Sequence, residues 1–261
     1  MEFIQRAKSW RRKLGFSRQD HCKDFLGGKS VRPEIDEVYL EGLNHHLQEI
    51  LDSINRAVHP NLKLDGQSLE KLLLKHRDGT LSKLRSNGLL PRLNNQGRRP
   101  EEVFFNWMRG NLIIHYFWPA ISALFEPLGE EIRLIGEDNP DEAGIFRRTG
   151  TADLACFHAG VMTGYIEVQS GFSGINDLKR HKWVEAKMRS DEEGLPSFVI
   201  HFDLFNGAAA LIRPLDYPID GELWVQRQQM EGQWVLPLDF NWFLWDLQEQ
   251  APGSYQGLIP T

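Results

Sequence analysis

Two carboxylates and an amide near the middle of the chain have the spacing that metal-assisted chemistry requires. Residues 150–182 read GTADLACFHAGVMTGYIEVQSGFSGINDLKRHK. This pattern predicts a strand, a Gly-rich turn over residues 159–164, a second strand and a helix rich in Lys and Arg. Asp153 lies on the first predicted strand, and Glu167 and Gln169 lie on the second. Residues two apart in a strand share a face, so Glu167 and Gln169 point one way and Val168 points into the core.

The turn determines how these side chains meet. A loop centred on Val161 predicts that Asp153 lies opposite Gln169. The same register places Ala155 opposite Glu167. Asp153 and Glu167 are then diagonal neighbours on one face, about 7–8 Å apart, and can share a divalent cation. Mg²⁺ suits such a pair, because it prefers hard oxygen ligands and takes only one or two carboxylates, with water and phosphate completing its octahedron.

The elements that position this pair can be predicted from periodicity. From residue 101 the predicted order is helix, strand, loop, strand, turn, strand, helix and strand. The first helix is apolar on nearly all sides, and Pro119 must kink it or start a second segment. A basic helix over 175–189 is expected to be capped by Asn176 or Asp177. The strand over 197–205 carries His201 and Asp203 on one face, either as a second polar cluster or as strand-end residues with local partners.

The first 99 residues are predicted to be helical. Apolar residues recur at helical spacing over 33–58, 69–76 and 81–90, with Gly79 and Gly88 between the shorter segments. Two short helices around a Gly turn suggest a helix-turn-helix, and plain helical packing is the alternative. We therefore predict a helical region over 1–99, distinct from the region over 100–261 that carries the two carboxylates.

Charge is divided unevenly along the chain, although the net charge is −6. Residues 1–100 carry 19 Lys and Arg against 12 Asp and Glu, and the remainder carries 11 against 24. A basic half beside an acidic half suggests a polyanion-binding surface next to a carboxylate-rich site. The alternative is that the two halves differ in charge by chance. The two cysteines, Cys22 and Cys156, form neither a disulfide framework nor a zinc pattern. No apolar run approaches the ~20 residues needed to span a bilayer, so we expect a cytoplasmic protein without a membrane partner.

Asp153 followed by Glu167-Val168-Gln169 on the next strand, then a helix and a strand, resembles the PD-(D/E)xK nuclease superfamily, which includes most type II restriction endonucleases. The resemblance covers residues 101–205. Two positions depart from it: Thr151-Ala152 replaces the Pro that often precedes the Asp, and Gln169 stands at the usual Lys position. The resemblance implies an α/β (α+β) fold with a restriction-endonuclease-like central mixed sheet flanked by helices. Residues 100–261 would then be a PD-(D/E)xK-like nuclease core, and the basic helical region 1–99 would serve DNA binding or dimerisation.

The resemblance also implies a site. Its catalytic residues would be Asp153, Glu167 and Gln169, and its Mg²⁺ ligands would be Asp153, Glu167 and the carbonyl of Val168. The Gln169 amide can hydrogen-bond to an attacking water, but it has no charge with which to lower a pKa. Positive charge near the phosphate would then come from the basic helix, through Lys179, Arg180 or Lys182.

Several polar side chains are candidates for DNA contacts. The segment 92–99, RLNNQGRR, contains the residue types that pair with base edges and phosphates, although most such loops are ordinary polar linkers. The expected DNA-binding residues are Asn94, Asn95, Gln96, Arg98, Arg99, Arg147, Arg148, Lys179, Arg180 and Lys182.

Together these observations predict a Mg²⁺-dependent endonuclease that cuts double-stranded DNA, of type II restriction specificity, acting as a homodimer because cutting both strands commonly needs two sites. A non-catalytic DNA-binding or assembly protein on a decayed nuclease fold is the alternative, with Gln169 marking the decay. A metal-dependent hydrolase of small phosphoesters is a third hypothesis, and the basic first hundred residues argue against it.

Overall fold

Helices from the first half of the chain and a sheet from the second half share one hydrophobic core. A computed structural model describes residues 2–15, 22, 26, 34–93, 98–135, 152–218, 221, 223–228 and 232–259. Its α-helices are α1 (Glu2–Leu14), α2 (Glu37–Ala57), α3 (Gly66–Leu72), α4 (Gly79–Ser86), α5 (Pro100–Phe125) and α6 (Arg180–Glu193). Its strands are β1 (Glu130–Leu134), β2 (Leu154–His158), β3 (Val161–Gly171), β4 (Asp177–Lys179), β5 (Ser197–Asp203), β6 (Ala208–Ile212), β7 (Val225–Arg227), β8 (Gln233–Pro237) and β9 (Trp245–Asp246).

The long helix α5 is the centre of the helical layer. Pro at its first position and two acidic residues in its first turn, Glu101 and Glu102, suit a helix N-terminus. The helix buries Phe104, Met108 and Leu112 among others, as its nearly continuous apolar surface requires. It continues through Pro119 to Phe125, so no second segment begins at that proline.

The helices α2 to α4 pack around α5. In α2, Leu40, Leu47 and Leu51 form the buried stripe. A single helical run then joins α3 to α4 through a π-helical stretch, Leu73–Asp78. Gly79 has helical dihedrals, with φ −61° and ψ −44°, so there is no turn between the two segments. The helix-turn-helix interpretation is therefore wrong.

A mixed six-stranded sheet forms the second layer, in the order β1-β2-β3-β5-β6-β9. Strands β3 and β5 are parallel, and the other neighbouring pairs are antiparallel. Helix α6 lies in the connection between the two parallel strands, and β4, β8 and β7 form a separate three-stranded sheet. A mixed central sheet with helices confirms the predicted α+β class; its restriction-endonuclease-like character stays a prediction.

The two faces of the large sheet differ in chemistry. Ile166 on β3 and Phe198, Ile200 and Phe202 on β5 belong to the main hydrophobic cluster together with α5. Val168 packs against that cluster, as predicted from the alternation of β3. On the opposite face Val199 joins a second cluster with Leu178, Trp183 and Leu236. The polar residues of interest share this second face.

The main cluster includes side chains from both sides of residue 99, among them Leu47 and Leu84 before it and Phe117 and Phe202 after it. The division into regions 1–99 and 100–261 stays a prediction. Helix α1 leaves Phe3, Ile4 and Trp10 exposed. Within the described ranges, no helix combines the length and the apolar character needed to cross a bilayer.

Candidate active site

The hairpin between β2 and β3 turns earlier than its Gly-rich sequence suggested. Ala159 and Gly160 form a two-residue turn in which both have positive φ, 50° and 81°, as hairpin turns that follow the strand twist require. A β-bulge lies between Cys156 and Phe157. Ala155 consequently pairs with Tyr165, so the predicted pairing of Ala155 with Glu167 is wrong.

This register brings the two carboxylates closer than the sequence indicated. Leu154 pairs with Ile166, so the next position along places Asp153 opposite Glu167 rather than opposite Gln169. Asp153 stands immediately before β2 rather than within it. Residues directly opposite on antiparallel strands have Cβ atoms about 4.5–5.5 Å apart. Asp153 and Glu167 are therefore direct rather than diagonal neighbours.

Asp153 is held by the backbone of the strand that carries Glu167. Its Oδ2 accepts a hydrogen bond of 2.7 Å from the Val168 amide. The backbone of Asp153 also continues the β1 edge, because its carbonyl accepts from Ile135 N at 3.1 Å. Both ends of the residue are fixed, which pre-organises the carboxylate beside Glu167.

Glu167 forms an ion pair with a lysine of helix α6. Lys182 Nζ lies 2.6 Å from Glu167 Oε1, and the two side chains are only 26% and 11% exposed. Lys182 also lies 3.4 Å from Glu185, one turn further along α6. The other oxygen of Glu167, Oε2, is buried and has no hydrogen-bond partner among the described residues. A buried carboxylate oxygen without a donor costs free energy unless a ligand satisfies it.

The electrostatics of Lys182 reflect its acidic surroundings. Burial alone would lower the pKa of Lys182, but attraction to Glu167, Glu185 and Asp153 outweighs burial and raises that pKa above its usual value. Three carboxylates thus surround one ammonium.

The donor set suits a hard cation, although it is small. Within the part of the chain that the structure describes, no group of three or more His, Cys, Asp or Glu side chains could hold a metal ion. Two carboxylates are nevertheless sufficient for Mg²⁺, which keeps several waters. The unpartnered Oε2 of Glu167 is an oxygen of the kind such an ion would take.

Gln169 has different surroundings from those of Glu167. It lies opposite His201 in the parallel pair of β3 and β5. His201 Nε2 and Asn176 Oδ1 are 2.9 Å apart, and Asn176 donates to Asp203 Oδ2 at 2.6 Å. His201 and Asp203 therefore belong to a second polar cluster with a partner 25 or more residues away in sequence. The contact of Asn176 with these two residues was not foreseen, because it joins positions far apart in sequence.

This second cluster is almost completely buried. Asn176, His201 and Asp203 are 8%, 4% and 2% exposed. Burial lowers the pKa of His201 despite the opposing charge of Asp203. Burial would raise the pKa of Asp203, but hydrogen bonds from Asn206 and Asn176 outweigh it and lower that pKa. The cluster thus combines a neutral imidazole with a charged carboxylate.

The cluster also explains why α6 starts later than predicted. Asn176 and Asp177 do not cap the helix, because Asn176 is bound to His201 and Asp203 and Asp177 pairs with Arg227 at 3.0 Å. The residues 177–179 form β4 instead, and the helix begins at Arg180. Trp183 and Ala186 are the buried residues of α6, and Met188 is 55% exposed.

The candidate DNA-binding residues are scattered. Arg98 is exposed, whereas Arg99 pairs with Glu101 at 3.1 Å and lies over the Tyr39 ring. Lys179 is half-buried in β4, and Arg180 is the first residue of α6. Five predicted residues lie outside the described ranges: Asn94, Asn95, Gln96, Arg147 and Arg148.

Comparison with known proteins gives little support beyond this geometry. No protein-family model and no curated protein matches the chain. Among solved structures, the chain is similar to Hjc, a Holliday junction resolvase of the archaeal hyperthermophile Archaeoglobus fulgidus. The identity is 12% and the TM-score is 0.29, over 50% of this chain and 85% of that one.

Proposed function

We propose that this protein is a Mg²⁺-dependent DNA endonuclease with a PD-(D/E)xK-like site. In this site Lys182 of α6 replaces the catalytic lysine that is usual at the position of Gln169. The observation that carries this proposal is the cluster of Asp153, Glu167 and Lys182, with 2.6 Å between Lys182 Nζ and Glu167 Oε1. In the superfamily the lysine usually stands two residues after the glutamate, which is the position of Gln169. Here Lys182 of the following helix contacts Glu167 instead.

Asp153 and Glu167 would hold the metal ion, with the Val168 carbonyl as a further ligand. When bound, Mg²⁺ polarises a phosphoryl oxygen and lowers the pKa of its coordinated water. The Val168 amide keeps Asp153 oriented through its 2.7 Å hydrogen bond. Lys182 supplies positive charge where negative charge develops on the phosphate, and the Gln169 amide orients a water by hydrogen bonding.

Lys182→Met provides the direct test. The substitution keeps the length of the side chain and removes its charge, so we expect cleavage of plasmid DNA with Mg²⁺ to slow by about 10²–10³-fold. Lys187→Met is the matched control, because Lys187 lies on the same helix and pairs with Asp191 at 2.9 Å, away from the carboxylates. Cleavage by Lys182→Met at the wild-type rate would contradict the assignment.

A rescue experiment separates charge from packing. The double variant Gln169→Lys/Lys182→Met moves the lysine back to the position usual in the superfamily. We expect it to cut at least ~10-fold faster than Lys182→Met alone. Failure to recover, in a protein that folds normally, would mean that β3 cannot present a lysine to this site.

A non-catalytic DNA-binding protein on the same fold is the second candidate. One observation favours it: Lys182 already neutralises Glu167, an arrangement that would also stabilise a site that no longer binds metal. Calorimetry with Ca²⁺ distinguishes the two functions. Binding that disappears in Asp153→Asn supports the nuclease, and the absence of any binding in the wild type supports the second candidate.

Type II restriction specificity, a homodimer and a cytoplasmic location are the finer parts of the proposal. Incubation with mixed plasmid and phage DNA addresses the first of them. Discrete fragments indicate a sequence-specific endonuclease, a smear indicates a nonspecific one, and intact DNA counts against cleavage. Sedimentation with and without a DNA duplex measures the oligomeric state.

A further inference from the structure

A cavity separate from the candidate active site lies between α2, α5 and the C-terminal ends of β3 and β5. Its volume is about 840 Å³, within the ~300–1,000 Å³ typical of ligand sites. Its lining includes Phe105 and Arg109 of α5, together with Phe172 and Leu204 just beyond the ends of β3 and β5. Ligands of open α/β sheets commonly bind outside the carboxyl ends of parallel strands.

Planar side chains are stacked along one wall of this cavity. The rings of His46 and Phe105 lie 5.8 Å apart with an angle of 13°. The Arg109 guanidinium lies 5.8 Å from the centre of the Phe105 ring and 4.4 Å from that of Phe172. Phe172 closes the row and is 57% exposed. A further planar group could therefore stack on its open face.

Arg109 is a half-buried cation without an acidic partner among the described residues. Its guanidinium lies over two phenyl rings, those of Phe105 and Phe172, and burial lowers its pKa. Charges withdrawn from water are usually paired with an opposite charge. A guanidinium has five N–H donors in a fixed fork that matches phosphate, so Arg109 has donors to offer an anionic ligand.

The remaining charges of the lining are compatible with a nucleotide. Glu49 is engaged by His46 at 3.0 Å, and Arg56 donates to Ser53 at 2.9 Å. Asp52 also lines the cavity, and a carboxylate can accept from the exocyclic amino group of a base. The cavity thus offers a stacking surface, cations for phosphate and an acceptor for an amino group.

The cavity and the candidate active site lie along the same strand, β3. Phe172 is five residues beyond Glu167, which corresponds to about 16 Å along β3. Glu167 faces α6, whereas Phe172 contacts Arg109 on α5. A nucleic-acid strand passing the end of the sheet could contact both.

We propose that this cavity binds one unpaired nucleotide of a DNA strand, with its base stacked on Phe172 and its phosphate paired with Arg109. The choice of DNA as the source of the nucleotide rests on the proposed function. Proteins that hold unpaired bases combine aromatic stacking with positive charge along the backbone, and the cavity provides both.

The test measures binding of a short single-stranded oligodeoxynucleotide that contains one 2-aminopurine, in Ca²⁺ to prevent cleavage. We expect Phe172→Leu and Arg109→Gln each to weaken binding about 10-fold. We also expect wild-type protein, but not Phe172→Leu, to quench the 2-aminopurine fluorescence by stacking. Phe240→Leu is the control, because Phe240 is 83% exposed and lies outside the lining; it should bind like the wild type.

Unchanged binding in both Phe172→Leu and Arg109→Gln would overturn this proposal, whether or not the protein cuts DNA. Loss of binding in these variants together with no cleavage by the wild type would support the cavity and refute the nuclease. If Arg109→Gln does not fold, Phe172→Leu alone tests the proposal. The Phe172 side chain is largely exposed, so its replacement should not disturb folding. An equal loss in Phe240→Leu would also overturn the proposal, since binding would then not depend on the cavity.

Discussion

The two faces of strands β3 and β5 use alternate residues of the same segments for opposite purposes. On the side facing α5, Ile166 and Ile200 are fully buried in the main hydrophobic cluster. Toward α6, Glu167 and His201 are also buried, but they carry charge or hydrogen bonds. Because side chains alternate, a shift of one residue would exchange these faces. The apolar face fixes the register and the polar face depends on it, so substitutions on the two faces should separate stability from activity.

Asp153→Asn and Glu167→Gln should have the largest effect. Each keeps the shape of the side chain and removes one of the carboxylates that would hold Mg²⁺. We expect cleavage to fall about 10⁴-fold, equivalent to about 5 kcal/mol in the barrier. The midpoint of urea unfolding should change little in Asp153→Asn, whereas Glu167→Gln should also lose stability because it removes the ion pair with Lys182. A variant that cuts normally would show that the polar face is not the active site.

Phe202→Ala should lower stability and leave the cleavage rate nearly unchanged. Phe202 is fully buried, and its ring stacks on Phe117 with centroids 4.3 Å apart. Removing the ring should lower the free energy of unfolding by about 4 kcal/mol, measured by urea titration. Under conditions where the variant is folded, its cleavage rate should stay within about threefold of the wild type. Strong loss of activity in the folded variant would mean that the faces are coupled.

Gly171→Ala tests the packing of the polar cluster formed by Asn176, His201 and Asp203. A Cβ at this position would lie 3.1 Å from Asn176 Oδ1 and 3.2 Å from His201 Nε2, so one of these groups must move. We expect a loss of about 2 kcal/mol in stability and a slower cleavage rate.

The matched control for that substitution is Gly42→Ala. Gly42 lies in α2, where an added Cβ would have no other atom within 4 Å, and Ala is a better helix former by roughly 0.5–1 kcal/mol. The control should therefore be slightly more stable than the wild type. A Gly171→Ala variant as stable as Gly42→Ala would show that the cluster adapts without cost.

Substitution in the stacked pair His76 and His115 should have the smallest effect, a change in how stability depends on pH. The rings of His76 and His115 lie 3.6 Å apart. Burial lowers the pKa of each to about 4, and for His115 the neighbouring His76 and Lys75 add to the shift. The unfolded chain takes up these protons near a pKa of about 6.5, so their contribution to stability is complete above that pH and falls as the pH drops toward 4.

His115→Phe should therefore reduce this acid sensitivity. Allowing for partial exposure, we expect the loss of stability between about pH 7 and about pH 4.5 to be smaller than in the wild type by about 1 kcal/mol. His45→Phe is the control, because His45 is 72% exposed, and it should leave the pH dependence unchanged. An identical slope in His115→Phe and wild type would contradict the lowered pKa.

The elements with strong periodicity could be predicted from sequence. The apolar surface of α5 and the inward direction of Val168 on β3 follow from local pattern alone, and both are present as expected. Asp153 and Glu167 could be paired in advance because a hairpin is a local structure. The exact register could not, since the turn conformation of Ala159 and the bulge after Cys156 each move the pairing without a clear signal in composition.

Features that depend on distant residues were not predictable. Asn176 and Asp177 have the side chains of helix caps, but their partners His201 and Arg227 lie 25 and 50 residues further along. Lys182 was one of three basic candidates, and only the packing of α6 against β3 selects it. Gly79 resembles a helix breaker, yet burial of neighbouring leucines keeps it helical within a π-containing run.

The pairing of β4 with β8 determines when the candidate site can form during protein synthesis. Leu178 pairs with Leu236, and the Leu238 amide donates to the Asn176 carbonyl at 2.8 Å. The ribosome releases Asp153, Glu167 and Lys182 well before these later residues. A nascent chain therefore carries every proposed catalytic side chain before β8 is available to hold β4 and the start of α6 in place.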